Sequence, residues 1–269
     1  MNNPPAVRPA RRLAITFESP VAAQALLDAC ARLAATLDAE LEGIFVEDSN
    51  LHRLGELPFL RELRPASLVE APLDVQRMRH ELRGLARRAE RMLEQSASAL
   101  GIPWSFRIWQ GDTSTMALTE GLADEALGLL RISRRAALRL STAGKRGLPR
   151  TAHEVSRLAV LHDASIAAQH ALQLGAQLAG RPGVTLLVLQ TGTGPGAQPD
   201  LQHAIRELLP ADQPLHPAIR TATDLPAVAD ALVQARIDLL VAGVTHPLLE
   251  GHGINSALQK LPCPVLLVR

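Results

Sequence analysis

The chain has 269 residues, enough for one large domain or two ordinary ones, and 47% of them are apolar. Its formal net charge of +1 supplies no overall field to draw in nucleic acid or a membrane surface. With no Tyr, two Trp and four Phe, any core must be built from Leu, Ala, Val and Ile, which suits helices packed on a parallel sheet.

No apolar run approaches the ~18 residues needed to span a bilayer. The N-terminal MNNPPAVRPARR has no apolar stretch of the secretory kind. Cys30 and Cys263 lie in apolar surroundings and read as reduced, buried thiols. A soluble cytoplasmic protein without a membrane partner is expected.

Leu13–Phe17 is a short apolar run with polar flanks, the pattern of a buried strand. Pro20 opens a helix along which Ala22, Leu26, Ala29, Leu33 and Leu37 recur at helical spacing. Leu41–Val46 is the next strand. From His52 to Arg64, the apolar residues Leu54, Leu57, Phe59, Leu60 and Leu63 pack on their own domain or serve as a lid or partner surface. A long helix runs from Leu73 to Leu100 and stops at Gly101, with Pro103 beyond. Arg77, Arg79, Arg83, Arg87, Arg88 and Arg91 crowd it; with no aromatics interleaved, they read as a solvated face rather than a nucleic-acid site. Trp104–Trp109 is a strand. Gly111-Asp112 turns into a helix over Thr115–Ala126, with Asp112 or Thr113 as its cap, and Leu127–Ile132 is a fourth strand. Arg139 to Arg150 is rich in Ser, Gly, Lys and Arg and reads as a linker.

The second half gives strand Arg157–Leu161, helix Ile166–Ala179, strand Val184–Leu189 and a Gly/Pro-rich loop over Thr191–Pro199. Helix Leu201–Leu209, strand Ala218–Thr221, helix Leu225–Ala235, strand Ile237–Ala242, helix Ile254–Leu261 and strand Val265–Val268 follow. Shifted by 145 positions, residues 12–41 lie over 157–186 without a gap, and eleven positions are identical, Arg12/Arg157, Ala22/Ala167 and Leu33/Leu178 among them. Glu18 then faces Asp163, an acid just past the first strand of each half. Duplicated strand–helix alternation predicts two tandem doubly wound parallel-sheet domains of flavodoxin-like, Rossmann-like α/β class, residues 11–150 and 151–269. The first half lacks a counterpart of Val265–Val268, so its sheet is one strand short and its edge needs cover from the other half or a second chain.

The segments Asp238–Gly243 and Cys263–Arg269 (DLLVAG and CPVLLVR) resemble the end of a universal stress protein domain. Gly101–Asp112 is similar to that family's third strand and turn, and Leu41–Leu63 to its second strand and trailing loop. The resemblance covers most of the chain. It implies a tandem member whose two sheets pack against each other as a pseudo-dimer, with any ligand beyond the carboxyl ends of the strands. ATP-binding members carry an acid after the first strand. After the fourth they carry a loop of Gly, two residues, Gly, nine residues, Gly, and Ser or Thr. Such glycines let backbone N–H groups approach phosphate at a helix N-terminus.

This chain departs from that pattern. In the second half Asp163 fits the acid and Gly243 the first glycine, but His246 stands at the second glycine and Pro247 has no N–H. Seven residues, Val244–Glu250, separate Gly243 from Gly251, His252 replaces the Ser or Thr, and Glu250 repels phosphate. In the first half Glu18 is a candidate acid, yet Arg131-Ile132-Ser133-Arg134-Arg135 holds no glycine. The degenerate nucleotide site is therefore Asp163, Gly243, Gly251, His252 and Gly253.

Other chemistry is thinner. His246, His252 and Asp163 could meet as metal ligands, though their spacing matches no ligand pattern and loop histidines are usually solvated. CxxC, HExxH, GxxxxGK[ST] and GxSxG are all absent, and nothing marks Ser114, Ser133 or Ser141 as nucleophiles. Arg134, Arg135, Arg139, Lys145 and Arg146 offer a basic cluster for an anionic ligand or a solvated face. The expectation is a non-enzymatic stress-response or regulatory protein that binds a partner protein or forms a homodimer, with no cofactor. The alternative is an ATP-binding protein with a modified phosphate loop in the second half.

Overall fold

The computed structural model describes residues 12–17, 24–48, 61–64, 69–72, 74–111, 126–131, 155–181, 183–191, 197–208, 218–250 and 253–269. The first half contributes β1 (Arg12–Phe17), α1 (Gln24–Leu37), β2 (Glu40–Asp48), β3 (Arg61–Arg64), β4 (Val69–Pro72), α2 (Val75–Ser98), β5 (Trp104–Gly111) and β6 (Ala126–Arg131). The second contributes β7 (Arg157–His162), α3 (Ile166–Ala179), β8 (Thr185–Gln190), α4 (Ala197–Leu208), β9 (Ala218–Thr221), α5 (Leu225–Gln234), β10 (Leu239–Gly243), α6 (Pro247–Glu250), α7 (Ile254–Lys260) and β11 (Val265–Val268).

Nine strands form one sheet in the order β5-β2-β1-β6-β11-β10-β7-β8-β9, while β3 and β4 make a separate antiparallel hairpin. Every neighbour pair in the large sheet is parallel except β6–β11, which is antiparallel. The sheet is thus two parallel flavodoxin-like halves joined at one seam. The expected shortfall of the first half is met by β11, whose Leu267 lies opposite Leu129 and Val265 opposite Arg131. The halves do not stack sheet on sheet as the resemblance implied. An unfilled ladder of N–H and C=O groups on β6 is satisfied far better by another strand than by a packed face.

The duplication is visible in the backbone. β1 and β7 begin 145 residues apart, as do β2 and β8. Asp38 (φ 51°) and Gly183 (φ 84°) occupy the same place before β2 and β8, each reversing the chain in the left-handed region.

Aliphatic side chains fill both faces. Leu13, Ile15, Leu27, Leu41 and Leu93 on one side and Leu158, Val160 and Leu266 on the continuation of that face are buried with Phe45. Leu161, Leu240, Ala242, Val228, Leu232, Ala257 and Leu267 fill the other. Two close approaches depend on glycine. A Cβ on Gly175 of α3 would lie 2.4 Å from Val160 Cγ2, and one on Gly243 would lie 2.9 Å from Ala167 Cβ and 3.1 Å from its carbonyl carbon. Both cysteines are buried and outside any disulfide, and burial drives the Cys30 pKa upward.

α4 begins at Ala197, four residues ahead of the expected Leu201, because Pro199 sits in the first turn where its missing N–H removes no helical bond. β2 is longer than its apolar run at both ends, where the β5 side chains meet its acids: Ser105 Oγ donates to Glu40 at 2.5 Å and Gln110 Nε2 donates to Glu47 at 3.0 Å. Within the run, Arg107 Nε donates to Glu42 at 2.8 Å and Arg12 reaches it at 3.7 Å. Pro20, Ala22, Asp112 with its helix, the linker over 139–150 and most of His52–Arg64 lie outside the described residues. Arg61–Arg64, the end of that last segment, is a hairpin strand. No helix of the described residues is long and apolar enough to cross a membrane.

Candidate functional site

The carboxyl ends of β7, β8 and β10 converge at one end of the second half. β7 runs through Leu158–Leu161 and ends at His162, which is itself buried. Asp163 follows, half-buried, and Ala164 turns the chain at φ 65° into Ser165, the N-cap of α3. The turn satisfies its own donors. Ala164 N–H donates to His162 Nδ1 (3.4 Å), Ser165 N–H to Asp163 Oδ1 (3.1 Å) and Ala168 N–H to Ser165 Oγ (3.1 Å). Burial works to raise the Asp163 pKa, but the Ser165 hydroxyl and N–H together with the nearby His246 charge outweigh it and hold the carboxyl below its ordinary value.

His246 is the centre of the loop after β10. Its side chain is 1% exposed, so it is not the solvated loop histidine the sequence suggested. Nε2 lies 2.7 Å from Thr191 Oγ1, and Nδ1 accepts Leu248 N–H at 3.2 Å. An accepting Nδ1 places the neutral ring's proton on Nε2, where it donates to Thr191. The Thr191 hydroxyl in turn donates to His162 O at 3.3 Å, and Thr191 N–H donates to the same carbonyl at 2.8 Å. Burial, and next the repulsion of His162, lower the His246 pKa against the pull of Asp163; burial likewise lowers that of His162.

Many backbone donors of the described part of this loop are already engaged. Val244 N–H bonds Val268 O, His246 N–H bonds Gly243 O, Leu249 and Glu250 N–H bond His246 O, and Gly253 N–H bonds Glu250 O. Gly253 is the N-cap of α7 at φ 70° and has no side chain to offer. Gly243 serves the tight contact with α3 described above.

Of the expected site residues, Asp163 and Gly243 are brought together against the start of α3, and Gly253 closes the same loop. Gly251, His252 and Glu18, like Arg134, Arg135, Arg139, Lys145 and Arg146, lie outside the described residues. Among the described residues no three His, Cys, Asp or Glu side chains are placed to hold a metal ion. Both His246 nitrogens are already occupied by hydrogen bonds, which removes the ring as a ligand. Asp238, matched to the family's strand, holds the opposite end of the sheet: its Oδ2 accepts Ser156 N–H, Ser156 Oγ–H and Arg157 N–H at 2.9–3.0 Å.

Sequence reasoning passed over His162, Thr191 and Gln190. Gln190 ends β8 beside His162, is 7% exposed, and its Oε1 has no hydrogen-bond partner. Polar residues ending otherwise apolar strands (RLAVLH and TLLVLQ) were the available signal.

No protein-family model matches the chain, and no curated protein matches it in sequence. Its likeness lies in solved structures. A universal stress protein from Archaeoglobus fulgidus DSM 4304 covers 95% of this chain and 96% of its own, with a TM-score of 0.58 at 13% identity. The universal stress protein UspA from Lactobacillus plantarum aligns over 43% of this chain and 98% of its own, with a TM-score of 0.34 at 20% identity. A functionally unknown protein from Pseudomonas aeruginosa PAO1 covers 96% and 92%, with a TM-score of 0.47 at 13% identity. What the chain shares with the first of these, over nearly its whole length, is the fold: it is built as a universal stress protein is built.

Proposed function

We propose that the chain is a non-enzymatic stress-response or regulatory protein of two domains, residues 11–150 and 151–269, that acts by binding a partner and lacks the usual ATP site. One observation carries this reading. A phosphate cradle works by offering free backbone N–H groups, whereas here those of His246, Leu248, Leu249, Glu250 and Gly253 after β10, and of Ser165 and Ala168 at the start of α3, are already bonded to Gly243, His246, Glu250, Asp163 and Ser165. Opening the loop for phosphate would strip bonds from a buried histidine and a buried threonine, each worth about 1 kcal/mol and costlier when left unmade.

The test is thermal unfolding with and without millimolar ATP and Mg²⁺. The expected result is no change in Tm. A ligand present at about 100 times its Kd would add about 2.7 kcal/mol, which is several degrees for a chain of this size, and such a rise would overturn the reading.

A second reading, adenine-nucleotide binding in a modified pose, is favoured by the unpartnered Gln190 Oε1 and by Ile166, 72% exposed at the start of α3. An amide oxygen in that position would accept from an exocyclic amine, and an exposed aliphatic side chain would cover a flat ring. A rise in Tm that Gln190→Leu removes would establish it.

A further inference from the structure

β5 is the outer strand of the large sheet, with β2 on its inner side. Leu41 N–H donates to Pro103 O, and the ladder pairs Leu41 with Trp104. In a parallel ladder this phase turns the backbone of Ser105, Arg107 and Trp109 toward β2 and that of Ile108 and Gln110 away from it. The Ile108 side chain is 49% exposed. Such an edge is a template for another strand unless it is blunted.

Alongside β5 on one face runs α2, antiparallel to it. Arg79, Leu82 and Arg83 line a cavity of about 560 Å³ with Ile108, Gln110 and Glu47. Arg83 and Arg87 line an adjoining one of about 510 Å³ with Phe106, Ile108 and Glu90. The two share Arg83 and Ile108, so they form one groove beside the strand edge. Arg79, Arg83 and Arg87 are exposed and stand four residues apart. Arg77 pairs with Glu81 and Arg107 with Glu42, whereas no ion pair is recorded for these three among the described residues. The carboxylates in the groove are Glu47, which accepts from Gln110, and Glu90 at the Arg87 end.

The spacing is specific. Four residues of helix rise about 6 Å, and side chains on one face of a strand recur about every 6.6 Å. A strand added to β5 with an acid at every second position would set successive carboxylates beside successive arginines. A small anion would meet only one of these exposed guanidinium groups at a time, and a duplex would meet no aromatic or groove-shaped partner.

We propose that the β5 edge and the Arg79–Arg83–Arg87 row together bind an extended acidic segment of a partner protein by strand addition. The proposal deepens the reading of the chain as a binding protein. Its site lies in the first half, so it fails or stands separately from the ATP experiment on the second.

The probe is a fluorescein-labelled eight-residue peptide of alternating valine and glutamate, followed by anisotropy, with a valine–lysine peptide as control. The glutamate peptide is expected to bind, the lysine peptide not, and binding to weaken as salt rises. Combined Arg79→Glu, Arg83→Glu and Arg87→Glu should weaken it at least about tenfold, since three exposed pairs are lost and reversed. Ile108→Pro removes an outward N–H without touching the β2 ladder and should abolish binding. No binding to the unmodified protein, or equal binding by the triple-arginine variant, would overturn the proposal. So would a homodimer dissociated by Ile108→Pro, which would assign the edge to a second copy of the chain.

Discussion

The two halves of the chain share a scaffold and differ where a scaffold is free to differ. β1 and β7 hold the same register to β2 and β8, and the same residue of each half turns the chain in the left-handed region. At the edges they part. The second half supplies five strands and the first four, with β11 closing β6. The second half carries its unusual chemistry inside, in the His162–Thr191–His246 network, whereas the first carries it outside, in the exposed arginines of α2. Strand interiors stay alike because every side chain there is packed on two faces. Strand ends and sheet edges answer to fewer neighbours, and there the second half has filled its strand ends with a histidine network while the first sets a row of arginines beside its outer strand.

The strongest test of this comparison is whether the halves stand or fall together. Leu267 is fully buried on β11 and faces Leu129 across the seam. Leu267→Ala should cost about 2–5 kcal/mol. Both tryptophans, Trp104 and Trp109, lie on β5 at the far end of the first half. Their fluorescence should therefore show the loss in a denaturant melt although the change is made in the second half. A tryptophan transition that stays at the unmodified midpoint would mean the seam does not couple the halves.

A middle-sized effect separates the filled strand ends from the rest. His162 and His246 both have pKa values held below the ordinary 6.5. The unfolded chain then binds more protons than the folded one, so their contribution is complete above about pH 6.5 and falls as pH drops toward the folded values. Asp163, held below 3.8, adds stability that is present above that value and is lost as pH falls beneath it. The urea midpoint should fall between about pH 8 and pH 5. His246→Gln should lower stability by about 1–3 kcal/mol at the higher pH, because Leu248 N–H and Thr191 lose a fitted partner. It should also flatten the dependence. An unchanged pH slope in that variant would show that the ring is not held neutral.

Much of the fold was legible in the sequence, and the reasons are local. Buried parallel strands announce themselves as unbroken aliphatic runs, so Val265–Val268 was placed to the residue, and helix Ile166–Ala179 matched α3 at both ends. The β3–β4 hairpin was not legible: RELR and VEAP are too short and too charged to show a period. Nor was the seam, since a missing strand says that an edge needs cover but not which strand covers it or in which direction. The site was half legible. Asp163 and Gly243 could be matched to a pattern, but the inward turn of His246 depends on Val244 and Leu249 being buried on either side of it and on Thr191, 55 residues away in the chain.

The smallest effect bears on the duplication itself. Before β2 the left-handed position is held by Asp38 and before β8 by Gly183. Left-handed backbone costs an L-residue roughly 1–2 kcal/mol, less for Asp, and glycine nothing, while glycine's freer unfolded chain returns part of the difference. Asp38→Gly should therefore raise stability by about 0.5–1 kcal/mol. A Cβ at Gly183 meets no atom within 4 Å, so Gly183→Asp involves no steric clash and should lower stability by a similar amount. Exchanging the two residues should leave the total nearly unchanged, because the sites are distant and such effects add. Denaturant midpoints of the two single variants and the exchange decide it. Shifts of equal size and opposite sign would mark the two turns as one inherited conformation filled in two ways. A Gly183→Asp variant as stable as the parent would show that the second turn relaxes, and that the likeness of the halves ends at the strands.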